Sequence, residues 1–204
     1  MSKTVEFFFD LGSPASYLAW TQLPDLCARQ GATLCYRPML LGGVFQATGN
    51  ASPVMIPAKG RYMFTDLARF AARYDVPFGL PPGFPLNTLA LMRGVIGTQL
   101  HAPARFEALL AALFNGLWAQ RRNLGEPGVL DETLGEAGFD PAQFHALAAD
   151  GEVKAALKQA TEAAVARGVF GAPTCFVGEA MFFGQDRLDF VEEALSQGAS
   201  SFSS

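Results

Sequence analysis

Val5-Glu6-Phe7-Phe8-Phe9-Asp10-Leu11-Gly12-Ser13-Pro14-Ala15-Ser16-Tyr17-Leu18 decides how the rest of the chain is read. The run from Val5 to Phe9 is short, aromatic and ended by Asp10-Leu11-Gly12, the pattern of a buried strand stopping at a turn. Ser13 followed by Pro14 then starts a helix, because serine caps free N–H groups and proline suits the first helical position. That helix carries Tyr17, Leu18, Trp20, Leu23, Leu26 and Cys27 inward and stops near Gly31, with a kink expected at Pro24, which has no N–H to donate. Thr33 to Arg37 reads as a second strand, closed by Pro38. Strand, helix and strand within about 35 residues form a βαβ unit with a right-handed crossover and parallel strands.

Beyond this unit the pattern changes. Gly42 to Gly60 reads as a loop, punctuated by Gly42-Gly43, Gly49-Asn50, Pro53 and Pro57. Helical spacing returns over Arg61–Tyr74, and a Pro/Gly-rich break follows at 77–85. Asn87–Leu100, Pro103–Gln120, Leu130–Gly138, Pro141–Ala149 and Glu152–Arg167 all read as helices, several with proline in the first turn. Strand chemistry resumes at Thr174-Cys175-Phe176-Val177, turns at Gly178-Glu179 and returns through Ala180–Phe183. A last helix opens at Gly184-Gln185-Asp186. β-α-β, a helical block, then β-β-α is the order of an α/β thioredoxin-like fold with an inserted all-helical domain. The predicted division is a discontinuous thioredoxin-like domain, residues 1–60 and 168–204, around a helical insertion, 61–167.

Composition bounds the function. The 204 residues are 50% apolar and 17% charged, which excludes a disordered or coiled-coil chain. Fifteen basic and nineteen acidic residues give a net charge of −4, so a nucleic-acid binder with a basic footprint is not expected. No segment supplies the ~20 continuous apolar residues needed to span a bilayer, and no secretory signal precedes Val5. The Ser200–Ser204 tail carries no readable address and is expected to fray. Cys27, Cys35 and Cys175 show no CxxC or metal-type spacing, which points to a reduced, cytoplasmic protein with small buried thiols. His101 and His145 lack carboxylate or cysteine partners at ligand spacing, so no metal site is expected. The eighteen Phe suit an aromatic pocket or a subunit interface equally.

Four features could carry chemistry. Ser13-Pro14-Ala15-Ser16 puts a helix N-terminus at the carboxyl end of a strand, where free N–H groups suit an anion; taken by itself, Ser13 reads first as a plain N-cap. Gly171-Ala172-Pro173-Thr174 leads into a strand. A cis Pro173 would present the Ala172 backbone for β-type pairing with a ligand, and a strand-start proline would not. Gln185 and Asp186 stand at a hairpin-to-helix junction, where they could hold an amino group, or Asp186 could simply favour the first helical turn. Asn50 and Lys59 open the helical block and could position a carboxylate or polarise a carbonyl, or be a loop amide and a solvated cation.

In their order these segments resemble the 2-hydroxychromene-2-carboxylate isomerases and the kappa-class glutathione transferases, themselves similar to the DsbA-like disulfide oxidoreductases. The resemblance rests on Phe9–Leu18, Gly49-Asn50, Pro57–Tyr62, Phe170–Thr174 and Phe183–Leu188, and it spans about residues 5 to 195. It implies a glutathione-dependent enzyme in which Ser13 replaces a nucleophilic cysteine and donates to the glutathione thiolate. Only a few per cent of a thiol with pKa near ~8.5 is ionised at pH 7 without such help. By the same resemblance Ala172, beside cis-Pro173, pairs with the cysteinyl part, Gln185 and Asp186 hold the γ-glutamyl end, and Asn50 and Lys59 line the substrate side. It further implies isomerisation of 2-hydroxychromene-2-carboxylate or a similar conjugated aromatic catabolite, and a homodimer. The chain departs from the pattern in two places. Ser13-Pro14-Ala15-Ser16 has neither cysteine of a CxxC, which removes dithiol chemistry, and Gln185 stands where kappa-class enzymes carry serine. A kappa-like transferase or peroxidase, and a non-catalytic thioredoxin-like binding protein, remain the alternatives.

Overall fold

The computed structural model describes residues 3–197; the Ser200–Ser204 tail lies outside them. β1 (Thr4–Phe9) is an inner strand of a four-stranded sheet. β2 (Thr33–Pro38) runs parallel to it on one side; β3 (Thr174–Val177) lies antiparallel on the other, and β4 (Ala180–Phe183) pairs with β3. Phe7 faces Tyr36 on one neighbour and Cys175 on the other. Successive side chains of a strand point to opposite faces. Val5, Phe7 and Phe9 therefore enter one core, and Phe8 a second, smaller one with Met39, Val44, Ala164 and Phe176.

Helix α1 (Pro14–Gln30) covers the first face and ends at Gly31, whose φ of 60° is the left-handed cap expected of glycine. Pro24 sits inside it without ending it. The helices that follow are α2 (Leu41–Thr48), α3 (Pro57–Arg73), α4 (Leu89–His101), α5 (Phe106–Phe114), α6 (Pro127–Glu136), α7 (Pro141–Ala149) and α8 (Gly151–Ala166); α9 (Leu188–Gln197) closes the chain against α1. Pro57, Pro127 and Pro141 each occupy a first turn, the position their missing N–H tolerates.

Two stretches differ from the sequence reading. The expected loop over 42–60 contains α2 and the first turn of α3. Glycines mark a loop locally, but here tertiary contacts hold a helix. Val44 is buried, the Leu41 N–H is received by the Asp10 carboxylate at 2.8 Å, and a Cβ on Gly43 would stand 3.1 Å from Thr161 Cγ2. The helix expected over 103–120 is instead a 3₁₀ turn, α5 and a π turn at Asn115–Ala119. Within the π turn sits Trp118, whose Nε1 donates to Leu11 O at 2.9 Å beneath the first helix.

The sheet and the helical block share one core. Phe114 lies 5.8 Å from Phe9 and 6.1 Å from Tyr17 between ring centres. α8 spans both parts: Val153 and Leu157 join the large core, while Ala164 packs with Phe8 and Phe176 across the sheet.

Candidate active site

Ser13 caps α1 from a buried position, with 4% of its surface exposed. Its Oγ accepts from Ser16 N–H at 3.1 Å and donates to Ala172 O at 2.9 Å. A hydroxyl has one proton to give, so in this state Ser13 spends it on the Ala172 carbonyl. Pro14 has no N–H and Ser16 N–H is taken by Ser13, which leaves Ala15 N–H as the first-turn donor without a partner among the described residues. The Ala172–Pro173 peptide is cis, and Gly184 N–H donates to Pro173 O at 2.9 Å, joining the two loops. The Ala172 N–H also makes no hydrogen bond among the described residues. Ser16 Oγ is buried and is the one such side-chain atom without a partner among the described residues.

Asp10 forms the floor. Its carboxylate is 1% exposed and receives Gly12 N–H at 2.8 Å, Leu41 N–H at 2.8 Å and the Thr88 hydroxyl at 3.1 Å. Burial pushes its pKa up, and these three donors pull against that rise. One side chain thus ties the turn before α1 to the start of α2 and to the residue preceding α4. Gly12 has to be glycine here, because a Cβ would come within 2.8 Å of Thr88 Cγ2. Leu11 is held on both sides, its N–H by Met92 Sδ at 3.3 Å and its carbonyl by Trp118. The aspartate ending an apolar strand was visible in sequence; Thr88, Met92 and Trp118 carried no signal, since only the fold brings them under residues 10–13.

Above this floor lies a cavity of about 430 Å³ bordered by Ser13, Ala15, Phe45, Asn50, Phe84 and Ala172. A second groove of about 510 Å³, bordered by Lys59, Tyr62, Asp66, Gln185 and Asp186, shares Pro53 and Met63 with the first. The structure therefore brings Ser13, Asn50 and Ala172 together, and separately Lys59, Gln185 and Asp186. Lys59 stands with the pair assigned to the γ-glutamyl end rather than with Asn50. Asn50 is committed to the backbone: its Nδ2 donates to Phe170 O and its Oδ1 accepts Ala51 N–H, both at 2.8 Å. The buried Gln185 receives the Tyr74 hydroxyl at 3.2 Å on Oε1. The exposed Asp186 pairs with Arg187 at 2.6 Å. Phe170 and Phe183, 4.6 Å apart, and Phe45 and Phe84 give the first cavity aromatic walls.

Residues 4–196 match the family described as the DSBA-like thioredoxin domain. The chain belongs to that family. Among curated relatives, a 2-hydroxychromene-2-carboxylate isomerase of Sphingobium xenophagum is 36% identical over 205 residues, covering 96% of this chain and 99% of its own. The corresponding isomerase of Pseudomonas putida is 32% identical over 198 residues, covering 95% and 94%. Glutathione S-transferase kappa 1 of Homo sapiens is 30% identical over 212 residues, covering 97% and 92%. A solved 2-hydroxychromene-2-carboxylate isomerase superposes with a TM-score of 0.85 at 29% identity, covering 98% of this chain and all of that one (100%). A probable DsbA oxidoreductase of Streptomyces coelicolor, at 19% identity and a TM-score of 0.73 over 99% of this chain and 92% of its own, shares the fold. The expected DsbA-like fold and the relation to the isomerases and kappa-class transferases, all of them enzymes, both hold. Away from the site, the exposed His145 contacts Asp131 at 2.6 Å, a carboxylate partner 14 residues away that ligand spacing had not revealed.

Proposed function

We propose that this protein is a glutathione-dependent isomerase of 2-hydroxychromene-2-carboxylate or a similar conjugated aromatic catabolite. The observation carrying this reading is the Ser13–Ala172 pair. A hydroxyl at a helix N-terminus and an Ala172 N–H unpartnered among the described residues border one aromatic-walled cavity that adjoins a groove with charged walls. These groups fit a γ-linked tripeptide thiol. Ala172 offers its N–H and C=O for β-type pairing with the cysteinyl backbone, and Ser13 Oγ and Ala15 N–H converge where a sulfur would sit. The groove offers Lys59 for a carboxylate and Asp66 with Asp186 for an amine. Bound glutathione supplies a thiolate able to add reversibly to a conjugated alkene, so that a double bond becomes a rotatable single bond and the thiol is not consumed.

The protein's part in this is to bind, orient and hold protons. As the ligand's own N–H pairs with Ala172 O, Ser13 is released from that carbonyl and turns its one proton to the thiolate. Ligand docking and thiolate stabilisation are in this way one event. Ala15 N–H and the positive end of α1 add roughly 0.3–2 kcal/mol in the same direction. Phe45, Phe84, Phe170 and Phe183 exclude water around the conjugated ring. Asn50, fixed by Phe170 O and Ala51 N–H, keeps the cavity wall in place and has one N–H left for a substrate oxygen. Exposed Met55, Ile56 and Tyr62 beside the groove offer the apolar face for a homodimer, and reduced cysteines suit a cytoplasmic enzyme.

The human kappa relative favours one further reading, a glutathione transferase acting on electrophiles. The two separate on product. With glutathione and a 2-hydroxychromene-2-carboxylate, isomerisation releases the ring-opened unsaturated pyruvate and leaves the thiol titre constant. A transferase lowers the titre and yields a thioether. Absence of any glutathione binding to the folded protein would refute both and leave a non-catalytic binding protein.

A further inference from the structure

A third cavity, of about 610 Å³, lies between α2, α4 and α8 and plays no part in the site described above. It exceeds the Ser13 cavity and falls within the ~300–1,000 Å³ of small-molecule sites. Its floor is apolar, built from Leu40, Leu89, Leu157 and Val165. Thr161, the buried polar residue there, is internally satisfied: its hydroxyl receives Leu40 N–H at 3.0 Å and donates to Leu157 O at 2.8 Å. The rim is cationic. Arg93 from α4 and Lys154 and Lys158 from α8 converge on it against a single acid, Glu162.

Arg93 is the telling residue. It is half-buried, yet its side chain makes no ion pair or hydrogen bond among the described residues. The Lys154 side chain is likewise without a partner among them, whereas Lys158 reaches Glu162 at 3.8 Å. A guanidinium with unused donors on a groove wall can take an anion through charge-assisted hydrogen bonds. This concentration of positive charge occurs in a chain whose net charge is −4. A second copy of the chain is a poor occupant. A two-fold contact centred on this groove would set the same cations against each other, and like charges facing across an interface oppose association.

We propose that this groove is a second ligand site, for an organic carboxylate with an apolar body, whose carboxylate meets Arg93 and whose body lies on Leu40, Leu157 and Val165. The inference stands apart from the glutathione reading. The test is isothermal titration of the full chain with 1-naphthoate and with octanoate, which distinguishes an aromatic from an aliphatic source of the same chemistry. Neutral 1-naphthamide serves as the control. Expected is one saturable site for at least one carboxylate, weakened about tenfold or more by Arg93→Ala, as for loss of a charge-assisted bond. The exposed double variant Lys154→Ala/Lys158→Ala, which leaves the core untouched, should weaken it too, and Ala47→Trp should fill the groove and abolish it. Failure of both carboxylates to bind would overturn the proposal. So would equal binding of the amide, binding indifferent to all three variants, or dissociation of an oligomer by Ala47→Trp. These variants decide the matter whatever glutathione does.

Discussion

Replacing Ser13 by alanine removes a helix cap and a proton donor together, and their consequences can be measured apart. In the free protein the lost contacts are Ser16 N–H to Oγ at 3.1 Å and Oγ–H to Ala172 O at 2.9 Å. The cap is worth about 1 kcal/mol, and leaving the Ala172 carbonyl unpaired costs about 1 kcal/mol more. About 2 kcal/mol corresponds to a fall in Tm of roughly 4–8 °C for a chain of this length. In the complex, a hydrogen bond to a thiolate is worth about 1.5–3 kcal/mol, less the roughly 1 kcal/mol bond Ser13 gives up. The pKa of bound glutathione should therefore rise in Ser13→Ala by about one pH unit, and by about one to two if the ligand amide takes over the Ala172 carbonyl. The assay follows ultraviolet thiolate absorbance against pH for both proteins at saturating glutathione, with thermal melts of the free proteins alongside. A lower Tm with an unchanged thiol pKa would make Ser13 a cap and nothing more, and the argument for its chemistry would be wrong.

Four further outcomes are expected. Burial raises the Asp10 pKa above its ordinary 3.8, so the folded state holds its proton more tightly than the unfolded chain. Its contribution to stability is then complete below the unfolded pKa and declines as pH rises through the folded one. Urea melts from pH 3.5 upward should show the stability of wild type minus Asp10→Asn falling with pH, and a flat or rising difference would contradict the buried, cation-free carboxylate. Asp10→Ala, which strands three donors, should lose about 3 kcal/mol or more at neutral pH in the same melts. Ser16→Ala removes a buried hydroxyl that has no partner among the described residues, so its Tm should equal or exceed that of wild type and its glutathione affinity should be unchanged; a loss of Tm would show a partner in the free protein, and a loss of affinity a role in the complex. Burial pushes the Cys27 thiol up to about 11 and the Cys175 thiol up to about 12. An alkylating reagent at pH 8 should therefore spare both in the native protein and modify them in urea, as peptide mass mapping would read.

Much of this molecule was legible along the chain because its signals are local. The short apolar, aromatic run Val5–Phe9, a serine cap before Pro14, prolines in first turns and the 178–179 hairpin are each decided within a few residues, where dihedral preference and hydrophobic pattern act. Their order was enough for the thioredoxin-like fold, and the segments around Ser13, Asn50, Pro173 and Gln185 were enough for the family. What the chain could not reveal depends on residues far apart in sequence. Helix α2 forms despite Gly42-Gly43 because Asp10 and Thr161, 31 and 121 residues from the backbone N–H groups they receive, hold its start. The helix expected over 103–120 divides where Trp118 turns to reach Leu11, 107 residues away. Lys59 joins Gln185 and Asp186 rather than Asn50, because α3 packs beside the β4–α9 junction while Asn50 is tied to Phe170. Ser13, 159 residues from Ala172, engages its carbonyl, so its one proton is in use in the free protein. Local propensity selected the elements; closure of the chain, which alone sets distances between residues remote in sequence, selected their partners.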